Sequence, residues 1–392
     1  MSSPQILKIV NGRILTPKGI LLNGYVLIRD GKIIDVTNQS CEVPDATIID
    51  AKENYIAPGC IDTHIHGGGG HDFTEATTEA FYAIAQAHAQ HGITSLYPTL
   101  AASSIETFHQ AIQACEFTMK HKKDGANILG LHLEGNYLNM QMKGGQNPDF
   151  ITLPNPDEYK ELLNSTNCIK RWSASPELEG ALDFGRYASE NGVIVSIAHT
   201  TADYALVKKA FNNGYTHVTH FYNAMTSVHK VREYKHEGTI EGIYLVDDMS
   251  VELVGDGIHV PPAILKLVYK IKGPEKIVLV TDAMCAAAWP NAATQFNDPR
   301  IILEDGVGKL ADRSALASSI ATGDRLIRTM VQLAEIPLLD AVRMASESPA
   351  RIMGIQEKKG SLEKGKDADI IIFDENINLL TTIVEGQIVF NR

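Results

Sequence analysis

Asp62-Thr63-His64-Ile65-His66, followed at once by four glycines from Gly67 to Gly70, is the stretch from which the rest of the chain is best understood. Side chains alternate faces along an extended strand, so positions two apart point the same way. His64 and His66 therefore project together, with Asp62 on their face and Ile65 on the other. Two imidazoles at a strand tip, beside a glycine turn that leaves an opening, make half of a metal site. Two histidines satisfied by hydrogen bonds would give the same pattern, so the pair needs support from elsewhere in the chain.

Outward from it, between about residues 57 and 356, strands alternate with helices. Candidate strands span 60–66, 94–100, 128–134, 169–174, 193–199, 216–220, 251–256 and 277–282, with helical stretches such as 75–91, 104–121, 203–212 and 261–271 between them. Eight strand-then-helix units predict an α/β protein with a closed (β/α)8 TIM-like barrel, because a parallel sheet must be covered by helices. A doubly wound open sheet has the same periodicity. Both chain ends read differently. Residues 6–10, 25–29 and 32–36 are β-rich around an Asp30-Gly31 hairpin turn, and 368–373, 379–384 and 387–390 repeat the style around Glu385-Gly386. We expect the two ends to pair into a small β-sandwich domain, discontinuous over 1–56 plus 357–392, flanking a barrel over 57–356.

Barrels of this kind carry their chemistry at the C-terminal strand ends. Read in turn, those ends hold His64 and His66, Glu134, His199, His220, Asp256 with His259, and Asp282. Nearly all are metal-ligand or acid/base types, a convergence that outweighs any single motif. Glu134 is either a solvated carboxylate or a ligand, and its company favours a ligand able to bridge two cations. Glu134, His199 and His220 supply the three-ligand set of an open catalytic site, and His64 with His66 would add a second metal. Alternation places His217 facing away from His220, and His132 one step below Glu134. Asp282 closes the apolar run Lys276-Ile-Val-Leu-Val-Thr-Asp282. It is a helix N-cap or a catalytic base. The base is favoured, since a divalent cation lowers the pKa of water to about 7 and a nearby carboxylate can take the proton.

The segment His229-Lys-Val-Arg-Glu-Tyr-Lys-His236 is cationic within a chain of net charge -12. Lying downstream of His220, it suits an anionic group on a substrate, and the planar fork of Arg232 suits phosphate. The overall acidity argues against nucleic acid or an anionic membrane as partner. The first residues lack a signal-peptide pattern, and no apolar run approaches the ~20 residues that span a bilayer. The five cysteines, Cys41, Cys60, Cys115, Cys168 and Cys285, are scattered and form no Cys-X-X-Cys, which predicts reduced thiols in a cytoplasmic protein. Gly306-Val-Gly-Lys309 lacks the remaining residues of a P-loop. No Gly-X-Ser-X-Gly elbow recommends a covalent nucleophile.

With these residues in hand, the chain resembles the N-acetylglucosamine-6-phosphate deacetylases of the amidohydrolase superfamily along essentially its whole length. The resemblance rests on Pro58-Gly-Cys-Ile-Asp-Thr-His-Ile-His-Gly67, His132-Leu-Glu-Gly135, Lys143-Gly-Gly-Gln-Asn-Pro148, Ala198-His-Thr200, Thr219-His-Phe-Tyr-Asn-Ala-Met225, Asp256-Gly-Ile-His259 and Val280-Thr-Asp-Ala283. It implies Glu134, His199 and His220 as metal ligands, with His64 and His66 allowing a second cation, and Asp282 as general acid/base. The divalent metal would be zinc first, with iron, cobalt or manganese also suited to these ligands. It further implies that Gly145, Gln146, Asn223, Ala224, Asp256, Gly257, Ile258, His259, Leu316, Ala317 and Ser318 frame a phosphorylated amino sugar. Arg232 would bind the phosphate across a homodimer interface. Gln146 stands where many members carry histidine, Asn136 where they carry proline, and Ser318 where they carry glycine.

The implied reaction is metal-dependent hydrolysis of an acetamide, with Asp282 taking the proton of water and passing it to the departing amine. A cyclic-amide hydrolase of the same superfamily is a second reading, but such relatives often use a carboxylated lysine, and no lysine ends a candidate strand. A non-catalytic sugar-phosphate or metal binding protein is a third, against which Asp282 and the full ligand set weigh.

Overall fold

The structure, a computed structural model, describes residues 6–39 and 42–392; Ser40 and Cys41 lie outside the described residues. Eight parallel strands follow one another around a barrel in chain order: Cys60–Ile65, Ile93–Ala101, Leu131–Glu134, Ile169–Ala174, Ile194–Ile197, Tyr215–Val218, Ser250–Val254 and Ile277–Val280. The last meets the first where the Asp282 amide donates to the His64 carbonyl at 2.9 Å and the Thr281 hydroxyl donates to Asp62 Oδ2 at 2.5 Å. These bonds bring the barrel nearly to closure, and among the described residues no open doubly wound sheet forms.

Helices begin where short polar side chains satisfy the free amides of the first turn. Ser104 accepts from the Thr107 amide at the start of Ile105–Lys120, and Asp203 accepts from the Leu206 amide at the start of Tyr204–Phe211. The predicted strand 128–134 is split at Gly130 into Asn127–Ile128 and Leu131–Glu134. Several other strands stop two residues short of their predicted ends, because His199, His220 and Asp282 turn into left-handed backbone with φ of 45°, 30° and 48°.

The apolar core lies between the barrel wall and its helices. Trp172 stacks on Tyr137 with ring centres 5.6 Å apart, and Phe184 packs edge-on against both. Barrel interiors are usually filled by branched apolar side chains. This one holds fully buried polar groups instead, among them His64, His132, Arg171, Ser173, His217 and Glu252.

Strands from both termini form a separate eight-stranded sheet. Ile6–Thr16 pairs with Thr47–Asp50 through its first half and, after a bulge near Gly12, with Tyr55–Pro58 through its second. Tyr55–Pro58 in turn pairs with Ile370–Phe373, joining the two ends of the chain. Its core includes Ile9, Ile14, Val26, Ile56, Ile370 and Ile383. Among the described residues no helix is long and apolar enough to cross a membrane, and Cys60, Cys115, Cys168 and Cys285 are free thiols.

Candidate metal and active site

Glu134 sits at the centre of the site, one oxygen toward each histidine pair. Its Oε2 lies 3.3 Å from His66 Nε2 and 3.6 Å from His64 Nε2, and its Oε1 lies 2.9 Å from His220 Nε2 and 3.3 Å from His199 Nε2. Within the pairs the Nε2 atoms are 3.2 Å and 3.1 Å apart. His64 Nδ1 faces a carboxylate oxygen of Glu252 at 3.1 Å, and His199 Nδ1 faces the Met142 carbonyl at 2.7 Å. Those oxygens only accept, so both imidazoles carry their proton on Nδ1 and present Nε2 as a lone pair.

Lone pairs aimed at other lone pairs repel unless a cation lies among them. The donor set of imidazole nitrogen and carboxylate oxygen therefore fits a divalent transition metal. Two groups qualify, His64–His66–Glu134 and Glu134–His199–His220, each with ligand atoms within 4.8 Å of one another. The electrostatics agree. Positive charge at the histidines has the same effect whether a proton or a cation supplies it: burial disfavours charge on Glu134, yet a positive His64 and bonds from His199 and His220 outweigh it and hold the carboxyl well below its usual range. Burial also opposes charge on His66, and the bonds and charges of Asp282 and Glu134 overcome it, so that imidazole is held well above its usual range. The polypeptide gathers negative charge here that calls for a positive partner.

Asp282 Oδ1 lies 3.2 Å from His66 Nε2 and 3.5 Å from His64 Nε2. Burial pushes its carboxyl up, but His64 and His66 outweigh burial, and the net shift is downward, leaving an ionised base at neutral pH. The N-cap alternative does not form, because the next helical turn starts only at Ala292. Ser318 Oγ at 2.5 Å and the Ser319 amide at 3.0 Å donate to the Asp282 carbonyl and fix its left-handed backbone.

The same left-handed turn corrects the expectation for His217. Simple alternation separates it from His220, but φ of 30° at His220 re-aims that side chain, and both point inward. His217 Nδ1 lies 2.6 Å from Ser250 Oγ, and its Nε2 lies 3.7 Å from Glu252 Oε1. His132 sits one layer below Glu134 as expected, its Nε2 2.6 Å from Ser173 Oγ and its ring edge-on to His64. The glycines after His66 do not form an open mouth. Gly67–Gly68 pairs with His71–Asp72 in a small hairpin held under the 283–287 segment. A Cβ on Gly67 would lie 2.3 Å from the His71 carbonyl oxygen, so only glycine fits there.

A cavity of about 330 Å³ opens over these groups, within the range of small-molecule sites. His66, Glu134, His199, His220 and Asp282 form its floor, Gly145, Gln146, Ala317 and Ser318 its walls, and Asp72, Thr74, Asp298 and Arg300 add to its lining. Gln146 donates through Nε2 to Glu134 Oε2 at 2.8 Å and accepts from the Ala102 amide at 2.8 Å. Asn136 grips the next residue, accepting from the Ser103 amide and donating to its carbonyl. Two positions that differ from the resembling family thus hold adjacent residues of one loop.

The sequence profile of the Amidohydrolase family matches residues 55–389. The chain belongs to the amidohydrolase family. It is 31% identical over 382 residues to the N-acetylglucosamine-6-phosphate deacetylase of Bacillus subtilis, covering 96% of this chain and 95% of the relative. It is also 31% identical over 378 residues to the N-acetylgalactosamine-6-phosphate deacetylase of Escherichia coli O157:H7, covering 96% and 97%. The crystal structure of N-acetylglucosamine-6-phosphate deacetylase from Pasteurella multocida superposes with a TM-score of 0.90 at 26% identity over 99% of this chain and all of that one. A mutant of the Mycobacterium smegmatis enzyme in complex with N-acetyl-D-glucosamine-6-phosphate superposes with a TM-score of 0.87 at 27% identity over the full length of both.

Not every expected substrate residue of this amidohydrolase reaches the cavity. Among the described residues, its lining excludes Asn223, Ala224, Arg232, Asp256, Gly257, Ile258, His259 and Leu316. Asn223 and Ala224 lie on the loop just past His220, where the Asn223 amide donates to the His220 carbonyl and Ala224 accepts from the Thr200 amide. Asp256 accepts from the Ile258 and His259 amides and lies 2.7 Å from His259 Nδ1, locking that turn. Leu316 starts the strand Leu316–Ser319 that carries Ala317 and Ser318 to the wall. Arg232 is exposed at the tip of a hairpin made by His229–Val231 and Tyr234–His236.

Three supporting residues escape a motif-based search. Arg171 and Glu252 form a fully buried ion pair beneath the ligands. Glu177 accepts from the Thr200 hydroxyl, the Thr201 amide and Asn139 Nδ2, tying the loop after His199 to the one after Glu134. For the first two the available signal was charge inside an otherwise β-rich strand, Arg171 beside Lys170 and Glu252 by itself, which burial makes costly unless it is paired.

Proposed function

We propose that this amidohydrolase hydrolyses the acetamide of N-acetylglucosamine 6-phosphate to acetate and glucosamine 6-phosphate, a step of amino-sugar catabolism. The observation that carries the reading is an ionised carboxylate, Asp282, 3.2 Å from His66 at the edge of a two-part Glu/His ligand set on a cavity floor. His64, His66 and Glu134 would hold one divalent cation and Glu134, His199 and His220 a second, with zinc first and iron, cobalt or manganese suited to the same donors. Bound there, such a cation polarises a carbonyl and lowers the pKa of water to about 7.

Asp282 accepts the proton of the attacking water. As the C–N bond breaks, it delivers that proton to the departing amine nitrogen. Gln146 has a second N–H besides the one given to Glu134 and offers it to the acetyl oxygen. Gly145, Ala317 and Ser318 frame the sugar, and Asn223, Ala224, Leu316 and the turn from Asp256 through Gly257 and Ile258 to His259, which lie outside the cavity lining, would meet the parts of the substrate that extend past it. Positioning of this kind supplies rate as well as affinity.

Arg232 is the phosphate contact in this reading, contributed to the site of a second copy in a homodimer. Support comes from the exposed hairpin, where Val228, Val231 and Tyr234 are 53%, 50% and 66% exposed beside it. The terminal sheet, 1–56 plus 357–392, is a support for the 57–356 barrel, and the free thiols suit a cytoplasmic setting.

The test is acetate release from N-acetylglucosamine 6-phosphate, its galactosamine epimer and the unphosphorylated sugars, with and without chelator. Chelator-sensitive release from a phosphorylated substrate, restored by added metal, is expected. Silence toward every phosphorylated N-acetyl sugar after metal reconstitution refutes the reading.

A further inference from the structure

We propose that Glu252 and Arg171 are a positioning pair for His64, and that they set the affinity of the His64–His66–Glu134 group for its cation. The inference rests on the two-cation reading above. Strand Ser250–Val254 carries no ligand and lines no part of the cavity, yet Glu252 at its middle is fully buried. Its Oε1 accepts from the Thr63 hydroxyl at 2.8 Å and from Arg171. Its Oε2 lies 3.1 Å from His64 Nδ1 and accepts from the His220 amide at 3.3 Å. Three of those four bonds come from a ligand or from a residue next to one.

Arg171 completes the unit. It donates through Nε to Ser196 Oγ at 2.9 Å, through Nη2 to Thr219 Oγ1 at 2.7 Å, and through Nη1 to the Thr63 carbonyl at 3.3 Å. A core ion pair that merely held the barrel together could be replaced by apolar residues without loss. This pair does something an apolar one cannot: an anion held in place by arginine fixes the proton of His64 on Nδ1 and keeps Nε2 a strong donor. Among the ligand imidazoles the device reaches only His64, since His220 meets Glu252 through its backbone amide alone, a bond that the glutamine variant can still accept. His199 has only the Met142 carbonyl on its Nδ1, and His220 Nδ1 has no partner among the described residues.

The test is a titration of metal-free protein with Zn²⁺ by calorimetry, with bound zinc counted by mass spectrometry, on wild type and Glu252→Gln. Wild type is expected to take two equivalents. The variant is expected to lose ten- to a hundred-fold in affinity for one of them, the range seen when outer-shell partners of ligating histidines are changed, while the other moves by less than about threefold. Thr63→Val, which removes one bond to Glu252 and leaves its charge, should shift the same equivalent in the same direction by less, and it stands in if Glu252→Gln does not fold. Melting of the metal-free proteins separates a general loss of stability from the split. Equal weakening of both equivalents, no change in either, or a single equivalent in wild type would overturn the proposal. Because no substrate is present, a clean split without any acetate-releasing activity would uphold this inference while sinking the proposed reaction.

Discussion

Replacing Asp282 with asparagine removes one charge and little else. Asparagine has nearly the same shape, and it tolerates left-handed backbone better than most residues, so φ of 48° is retained. Alanine would lack that tolerance, at ~1–2 kcal/mol. The bonds from Ser318 and the Ser319 amide go to the backbone carbonyl of residue 282 and survive the change. What is lost is the ability to accept a proton from water and return it to the amine. General acid–base catalysis contributes roughly 10²–10⁴-fold, or about 3–5 kcal/mol at ~1.4 kcal/mol per decade. In the proposed reaction Asp282 acts in both proton transfers, so the expected loss in kcat lies in the upper part of that range, at least about a thousandfold. The assay is continuous acetate release at neutral pH, with metal content and melting temperature measured on the same preparation. A variant within about tenfold of wild type, carrying its full metal, would refute Asp282 as the proton carrier.

Ser318→Ala removes a single hydroxyl bond to the Asp282 carbonyl while the Ser319 amide bond remains; stability should fall by about 0.5–1.5 kcal/mol in denaturant melts, and kcat by a few-fold with metal content unchanged. The Asp256–His259 pair predicts a pH signature. Burial opposes the charge on each, but their mutual bond and charge prevail, so Asp256 titrates below and His259 above its ordinary value. The His259 contribution is therefore complete below its unfolded pKa of about 6.5 and is lost as pH rises through the higher folded value; the Asp256 contribution exists above about 3.9 and is lost as pH falls below it. The stability gap between wild type and His259→Gln should be widest near pH 5 and shrink toward pH 9. A gap that grows with alkaline pH would contradict the assignment of charge.

The strand ends were legible because an eightfold alternation of strand and helix tells where ligand-type residues gather, and the convergence of Glu134, His199, His220 and Asp282 needs only that rule. What alternation could not show is the local backbone that completes the site. His199, His220 and Asp282 each leave the extended region, and a rule based on strict two-residue periodicity then assigns their neighbours to the wrong face, as with His217. The glycine run failed for a different reason. Glycine signals both open turns and close packing, and Gly67 is glycine because the His71 carbonyl lies against it. Arg171 and Glu252 were hidden because a charged residue in a β-rich strand reads as an exposed position until the barrel's interior face is known.

These features have one physical origin. Barrel strands have two faces, and here the outward face supplies the apolar core, with Trp172, Leu133, Val195 and Leu253 all fully buried. That frees the inward face to be polar. Three left-handed residues, each costing ~1–2 kcal/mol, and a buried ion pair that is at best a weak source of stability are tolerable only on a scaffold whose outer layer holds it rigid. The rigidity is also what gives such groups a use. A lone pair on His64 Nε2 is a good ligand only if the ring cannot turn away, and the ring is fixed by Glu252, which Arg171 and Thr63 hold in turn. Loosening the outer packing should therefore weaken metal binding before it unfolds the chain.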